Sequence, residues 1–201
     1  MRHRLVGIDD RRMDADASLM PVLLRGLLMY IVLPAWLLAG WGDWLCHRRA
    51  RIEYSAGWRE SLLHQLLLLE TGIPIAIALL AQVNTLVLAI GLAGVLAHEL
   101  TTAWDLRWAG SRRTISPAEQ QVHAFQEVLP WGALVALMLL HPSATLSLVG
   151  AAPADWSLRW KSPPLPAGYL IGLGVATLLL VVGPFGEELI RTLRRRPPRR
   201  A

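Results

Sequence analysis

The sequence predicts an all-α integral membrane protein with about five transmembrane helices, four of them forming a bundle with a metal site at its cytoplasmic end. Three observations favour this class. Apolar residues make up 54% of the chain and charged residues only 17%, a composition typical of membrane proteins. Ionisable side chains avoid long segments, so that residues 71–97 contain none. Histidines and carboxylates gather instead near the ends of the apolar runs.

Polar interruptions set the limits of the individual spans. The uncharged stretch over residues 71–97 is too long for one ordinary span. A polar turn at residues 82–85 divides it, which indicates two helices joined tightly. Pro74 predicts a kink in the first of these two helices. Arg25 has a side chain long enough to reach the interface from the start of the first span. The predicted spans are about 19–44, 62–82, 85–108, 117–140 and 167–185.

The basic residues predict how these spans are oriented. With five spans and the carboxyl end inside, thirteen arginines lie on the cytoplasmic side and seven basic residues on the other. Cytoplasmic loops carry the excess of Lys and Arg, so the amino terminus is expected outside a bacterial-type inner membrane and the carboxyl terminus in the cytoplasm. The predicted parts are an amino-terminal tail (1–18), a four-helix bundle with the metal site (19–140), an extracytoplasmic loop (141–166), a fifth transmembrane helix (167–186) and a basic tail (187–201).

Each of the first four spans carries an acid and a histidine that share one helix face. The members of a pair are separated by four residues, which is about one turn, or by seven, which differ by about 20° around the axis. The predicted topology brings all four pairs to the cytoplasmic end of the bundle, across two arginine-rich turns. The candidate metal ligands are Asp43 and His47, Glu60 and His64, His98 and Asp105, and Glu119 and His123.

Carboxylates at this position need a partner that repays their desolvation. An ionised carboxylate costs about 2.5 to 3.5 kcal/mol at the centre of a span and less near the interface. Imidazole and carboxylate together suit iron, manganese or zinc, while the single Cys46 excludes an internal disulfide and a Cys-based zinc site. The number of histidines and acids matches two metal ions bridged by carboxylates.

This arrangement resembles the four-helix di-iron carboxylate proteins, with the site moved to the end of a membrane bundle. In that class two helices supply Glu-x-x-His, whereas Glu60-x-x-x-His64 and Glu119-x-x-x-His123 have one extra residue. The outline over residues 43–127 is also similar to membrane desaturases and fatty-acid hydroxylases, although their histidine boxes are absent. The resemblance implies two iron ions, molecular oxygen, an electron-donor protein and a membrane lipid or other lipophilic substrate.

Several charged residues have roles in this prediction beside the ligands. Glu99 and Glu127 are the candidate catalytic acids or bases, and either could instead orient a histidine. Arg112 and Arg113 are candidates for binding an anionic head group, or are anchors of the positive-inside kind. Glu119 has an alternative role in a capping box at the start of its helix, with Ser116 as the N-cap.

Other function classes use the same residues differently. Zinc in place of iron predicts a lipid hydrolase that activates water, and manganese is a further alternative. Haem b held by the four histidines predicts an electron carrier but leaves the acids unexplained, and a metal transporter would place its site nearer the midplane. Glu187 and Glu188 resemble the paired glutamates of intramembrane prenyl-protein peptidases, but matching histidines do not follow, so this motif is set aside. No feature favours nucleic-acid binding.

Overall fold

The structure, a computed structural model, describes residues 19–195, which are helical apart from turns, loops and one isolated β-bridge. The predicted amino-terminal tail and the end of the basic tail lie outside the described residues. Five helices are long and apolar enough to cross a membrane, which agrees with the predicted all-α class and number of spans. They are α1 (Leu19–Ala50), α2 (Trp58–Leu80), α3 (Thr85–Gly110), α4 (Pro117–Leu140) and α6 (Ala167–Arg194), with the short α5 (Pro142–Leu148) before α6.

Two helices extend well beyond their apolar runs. Helix α1 continues to Ala50 where the apolar pattern predicted an end near Trp44, and α6 continues to Arg194 where an end near Phe185 was predicted. Both extensions lie at the same end of the bundle, which is also where α2 and α4 begin. Hydropathy marks the apolar part of a helix only, whereas these polar turns each bury part of their polar side chains, His47 in α1 and Glu188 and Thr192 in α6.

Helices α2 and α3 pack closely where α2 contains Pro74. A Cβ atom added to Gly94 of α3 would lie 2.5 Å from the carbonyl oxygen of Glu70 and 2.6 Å from Cγ of Pro74. Proline has no N–H to bond the carbonyl four residues earlier, so the Glu70 carbonyl is free of that helical bond. Glycine lets α3 approach α2 at this point, and the proline stays inside the helix without ending it.

Helices α1 and α6 cross at a second glycine. A Cβ on Gly40 would contact Val181 at 3.4 Å and the ring of Phe185 at 3.9 Å. The crossing lies about one turn before Asp43 on α1 and one turn before Glu188 on α6. It therefore brings the polar end of the fifth span against the four-helix group.

The connection between α4 and α6 covers the opposite end of the bundle. The Gln82 amide donates to the Arg159 carbonyl at 2.9 Å, and the Lys161 amide donates to the Leu80 carbonyl at 2.8 Å. These bonds tie the loop to the turn between α2 and α3. The two ends of the bundle are thus different: one carries the acid–histidine pairs, and the other is closed by a loop.

Candidate metal centre

A carboxylate of α6 holds two histidines from different helices. One oxygen of Glu188 accepts a hydrogen bond from Nδ1 of His47 at 2.9 Å, and the other accepts from Nδ1 of His64 at 2.7 Å. Glu188 and His47 are 0% exposed. A neutral imidazole that donates through Nδ1 keeps the lone pair of Nε2 for another partner.

Nε2 of His47 faces a group of acids and a second histidine. It lies 3.2 Å from Asp43 Oδ1 and 3.3 Å from Glu119 Oε1. His123 reaches the same Asp43 oxygen with its Nε2 at 3.0 Å. Ligand atoms of these four residues lie within 4.8 Å of one another, so they could hold a metal ion.

A second group adjoins the first and shares His47. The rings of His47 and His64 are stacked, with centroids 4.3 Å apart and planes 6° from parallel. Ligand atoms of His47, Glu60 and His64 again lie within 4.8 Å of one another. On the far side of His64, Nε2 lies 3.5 Å from Asp105 Oδ2. The two groups are therefore contiguous and draw on α1, α2 and α4, while Asp105 of α3 and Glu188 of α6 contact their histidines.

Arg113 closes the cluster from the turn between α3 and α4. Its guanidinium contacts Glu60 and Glu119, with Nη2 at 2.5 Å from an oxygen of each. Only 6% of its side chain is exposed. Burial by itself would lower the pKa of Arg113, but the hydrogen bonds to Glu119 and Glu60 outweigh it and raise the pKa above its ordinary value. Arg113, a candidate for binding a head group or anchoring the turn, contacts two acids that were predicted as metal ligands.

Glu119 combines a local and a tertiary role. The hydroxyl of Ser116 accepts from the Glu119 amide at 3.2 Å, which is the helix cap that the sequence indicated. The carboxylate of Glu119 turns inward to Arg113 and His47, and it is 1% exposed. Capping therefore places this acid in the site.

The cluster contains buried atoms that lack hydrogen-bond partners, which fits it to a cation. Within residues 19–195, Nε2 of His47, Nε2 of His64 and Nδ1 of His123 make no hydrogen bond of acceptable geometry, and neither does Oδ1 of Asp105. An unpaired buried polar atom costs about 1–3 kcal/mol. Neutral imidazole nitrogens and carboxylate oxygens are the donors that borderline metals use.

His98 and Asp105 do not occupy the same level. Both are buried, at 5% and 4% exposure. Seven residues of helix separate them by about 10.5 Å along the axis, so a shared face does not bring them to one ion. Asp105 lies beside His64, whereas His98 lies further into the bundle, close to backbone of Leu67 and Gln126 and outside both ligand groups.

The remaining predicted residues lie around the cluster. Glu99 accepts a hydrogen bond from Nε1 of Trp131 at 2.9 Å, in a cleft on the outer side of α3 and α4. Glu127 lines both this cleft and the cavity described next. Arg112 is exposed, with its guanidinium carbon 3.2 Å from the centroid of the Trp108 ring.

An apolar cavity of about 540 Å³ opens from the cluster into the bundle. Apolar side chains such as Leu33, Trp36 and Ile75 form most of its wall. Its polar end is formed by residues of the cluster together with His98 and Glu127, which lie further into the bundle. These polar residues are Asp43, His64, His98, Asp105, His123 and Glu127. A lipophilic molecule in this cavity would lie against the ligand cluster.

Glu188 is the central residue that sequence reasoning missed. Its pairing with Glu187 drew attention to a protease motif, and the predicted fifth span ended before it. A signal was present: Phe185, Glu188 and Thr192 recur at three- and four-residue steps, which share one helix face, and all three are buried. The predicted topology had also placed this acid at the metal-bearing end.

No family model, curated protein or solved structure matches this chain. Five apolar helices suggest a membrane protein, and a buried cluster of histidines and carboxylates at one end of the bundle could hold metal.

Proposed function

We propose that this chain is an integral membrane di-metal oxidoreductase, with two iron ions, that oxidises a lipid or other lipophilic substrate with molecular oxygen. The observation that carries the proposal is the bridge of Glu188 between His47 and His64. It holds two imidazoles with their free nitrogens toward a carboxylate layer, the arrangement in which an outer carboxylate orients metal-binding histidines. This layer stands at the polar end of an apolar cavity.

Charge balance supports two ions rather than one. Five buried acids face a single guanidinium in the cluster, so neutral histidines leave four negative charges uncompensated. Two divalent cations supply four positive charges. Without metal, the same balance requires protonated histidines, which would lose the lone pairs that face the acids. The acids are Asp43, Glu60, Asp105, Glu119 and Glu188.

The donor set supports a non-haem pair of ions such as iron over a single zinc ion and over haem. Imidazoles and carboxylates are shared over several helices, which suits a carboxylate-bridged pair better than one zinc ion. The parallel stacking of His47 on His64, with both Nδ1 atoms held by one carboxylate, does not offer ligands on opposite faces of a haem. This is the ground on which the likeness to the di-iron carboxylate proteins rests.

The residues of the chain have separate tasks in such a reaction. Two bound iron ions would supply the activation of oxygen. The apolar cavity wall holds the substrate and excludes water from the reacting carbon. Arg113 bridges Glu60 and Glu119 with its one positive charge and fixes their orientation. In hydroxylation, one oxygen atom enters a C–H bond and the other becomes water, with two electrons from a donor protein and two protons.

Glu127 is suited to deliver those protons. It lines the cavity on one side and the cleft that contains Glu99 on the other. A carboxylate in that position can take a proton from the cleft and release it beside the substrate. Glu99 keeps its hydrogen bond to Trp131 and lies on the outer part of the same route.

Elemental analysis of the purified, detergent-solubilised protein tests the proposal. We expect about two irons per chain without a haem Soret band, and their loss in a His64→Ala, His123→Ala double variant. His141→Ala is the matched control, because this histidine lies at the other end of the bundle. Zinc as the only metal would favour the lipid hydrolase over the oxidoreductase, and a Soret band would indicate an electron carrier. A protein without metal would refute the proposal.

The orientation of the bundle is tested separately. We place the metal-bearing end on the cytoplasmic side, as the distribution of arginines favours. A carboxyl-terminal fusion to green fluorescent protein should then fluoresce, whereas a fusion to alkaline phosphatase should be inactive. The reverse result would put the metal centre on the outer side.

A further inference from the structure

A second apolar cavity of about 540 Å³ adjoins the first. The two share Leu33, Trp36, Thr71, Ile75 and Leu79 in their walls, so they adjoin along the same stretch of α2 and are together called the slot. The first cavity reaches the metal cluster at one end of α2. The second reaches the loop that covers the opposite end of the bundle.

The far end of this slot is lined by three basic side chains, one from each of three parts of the chain. Arg25 comes from the start of α1, His141 from the end of α4 and Lys161 from the covering loop. None of the three forms an ion pair with an acid within residues 19–195. Lys161 donates one hydrogen bond, to the carbonyl of Ala78 at 2.7 Å, and keeps further N–H donors for another partner.

The positive charges of these side chains repel one another, and an anion placed between them would be stabilised. Burial, and then the charge of Arg25, lowers the pKa of Lys161. Burial lowers the pKa of His141 as well, with smaller contributions from Lys161 and Arg25. Like charges close to one another are repelled unless an anion lies between them. The covering loop does hold an acid, Asp155, but it pairs with Arg159 instead.

The length of the slot indicates that the ligand has a long alkyl chain. Lys161 contacts α2 at Ala78, and the metal cluster contacts α2 at His64. Fourteen residues of helix span about 21 Å, the length of an extended long acyl chain. Glu70 also lines the second cavity, but it lies eight residues, or about 12 Å, from Ala78 and is bonded to Thr101. It therefore borders the chain of such a ligand rather than its head group.

We propose that the slot binds a single-chain amphiphile whose anionic head group, a carboxylate or a phosphate, is held by Arg25, His141 and Lys161. The alkyl chain then runs through both cavities toward the metal cluster. This inference rests on the proposed function only in naming the amphiphile as the substrate, since binding itself needs no metal. Head-group capture at a fixed distance selects the carbon that reaches the cluster, so oxidation is directed far from the polar end.

The guanidinium of Arg25 suits both head groups, since its fork of N–H donors matches the oxygens of carboxylate and phosphate alike. An alcohol of the same chain length would fill the same cavities without the charge-assisted bonds. Each such bond contributes about 1.5–3 kcal/mol, which is about tenfold or more in affinity. Charge therefore separates this proposal from nonspecific filling of an apolar space.

The experiment measures binding of tritiated hexadecanoate to the full-length chain in nanodiscs of neutral phosphatidylcholine. It is done with the protein as purified and after treatment with a chelator. Unlabelled hexadecanoate, hexadecyl phosphate, hexadecanol and octanoate compete. The test variant is Arg25→Gln with Lys161→Gln. The control is Arg159→Gln, which removes an exposed cation from the same loop but from neither cavity.

We expect saturable binding that hexadecanol displaces at least about tenfold less effectively than an anionic competitor. The double variant should lose about tenfold or more in affinity, and Arg159→Gln should not. Displacement by hexadecyl phosphate as well as by unlabelled hexadecanoate shows that the site accepts both head groups, whereas displacement by hexadecanoate alone identifies a carboxylate. Leu68→Trp, in the wall of the first cavity and about 15 Å from Ala78 along α2, should weaken hexadecanoate but not the shorter octanoate, and it tests the slot without touching a charge.

Equal competition by hexadecanol, unchanged affinity in the double variant, or no saturable binding would overturn this inference. Failure of the proposed function is recognised independently. A protein that holds no metal but binds hexadecanoate through Arg25 and Lys161 would refute the oxidoreductase and keep the amphiphile site. A protein with two irons and no charge-dependent binding would support the oxidoreductase and refute the amphiphile site.

Discussion

Replacement of Glu188 by glutamine tests whether the fifth helix organises the metal centre. The carboxylate accepts two hydrogen bonds, from Nδ1 of His47 at 2.9 Å and from Nδ1 of His64 at 2.7 Å. Glutamine has nearly the same volume but one oxygen and one NH₂ group. It can accept from one imidazole, while its NH₂ group meets the N–H of the other. One histidine must therefore change its tautomer or turn its ring.

The size of the effect follows from what that histidine loses. Outer carboxylates that orient metal-binding histidines typically contribute 10- to 100-fold in metal affinity, which is about 1.4–2.7 kcal/mol. The larger value is expected here, because Glu188 is 0% exposed and water cannot replace it. Turning the ring of His64 would also direct Nε2 away from Asp105, which lies 3.5 Å from it.

The assay is retention of metal against increasing concentrations of a chelator, with elution volume in size-exclusion chromatography as the check on folding. Glu187→Gln is the matched control, since this neighbouring side chain is 37% exposed and pairs with Arg48 and Arg191. We expect the control to behave as the unaltered protein. If Glu188→Gln retains metal as well as Glu187→Gln does, Glu188 does not orient the ligands and the main support for the proposed centre is lost.

Three further outcomes are expected. Arg113→Gln should destabilise the protein by about 3–5 kcal/mol, because it leaves two buried glutamates without their cation, whereas exposed Arg112→Gln should have little effect in the same denaturation assay. Gly94→Ala should lower the free energy of unfolding by about 1–3 kcal/mol, because its Cβ would lie 2.5 Å from the Glu70 carbonyl oxygen. The control is Gly172→Ala, whose Cβ meets nothing within 4 Å, and equal stability of the two variants would contradict the close packing. Removing metal with a chelator should lower the melting temperature and re-addition should restore it, because an ion that binds the folded state stabilises it; an unchanged melting temperature would count against a metal site.

The helical architecture could be predicted because its causes are local. Hydropathy along residues 19–195 and the polar turn before Thr85 define where helices can lie, and five were indicated. One-turn spacing alone placed Asp43 with His47 and Glu60 with His64 on common faces. The cap at Ser116 was likewise readable, since it depends on residues three apart.

Helix ends and axial levels were harder to predict. The apolar pattern predicted that α1 and α6 stop short of Ala50 and Arg194, because hydropathy marks only the apolar part of a helix and the last turns of both helices are polar. Periodicity placed His98 and Asp105 on one face, but it says nothing of how far along the bundle each one lies. Their separation of about 10.5 Å keeps only Asp105 beside the cluster.

What the sequence alone determined is the class of fold and the set of acids and histidines at one end of the bundle. Only the tertiary structure decided which of them meet. Glu188 reaches His47 and His64 because α1 and α6 cross closely at Gly40, and Arg113 turns inward because two buried acids face it. The physical reason is that spacing along a helix fixes direction around its own axis, whereas contacts between helices depend on crossing points and axial offsets that are set by packing across the whole bundle.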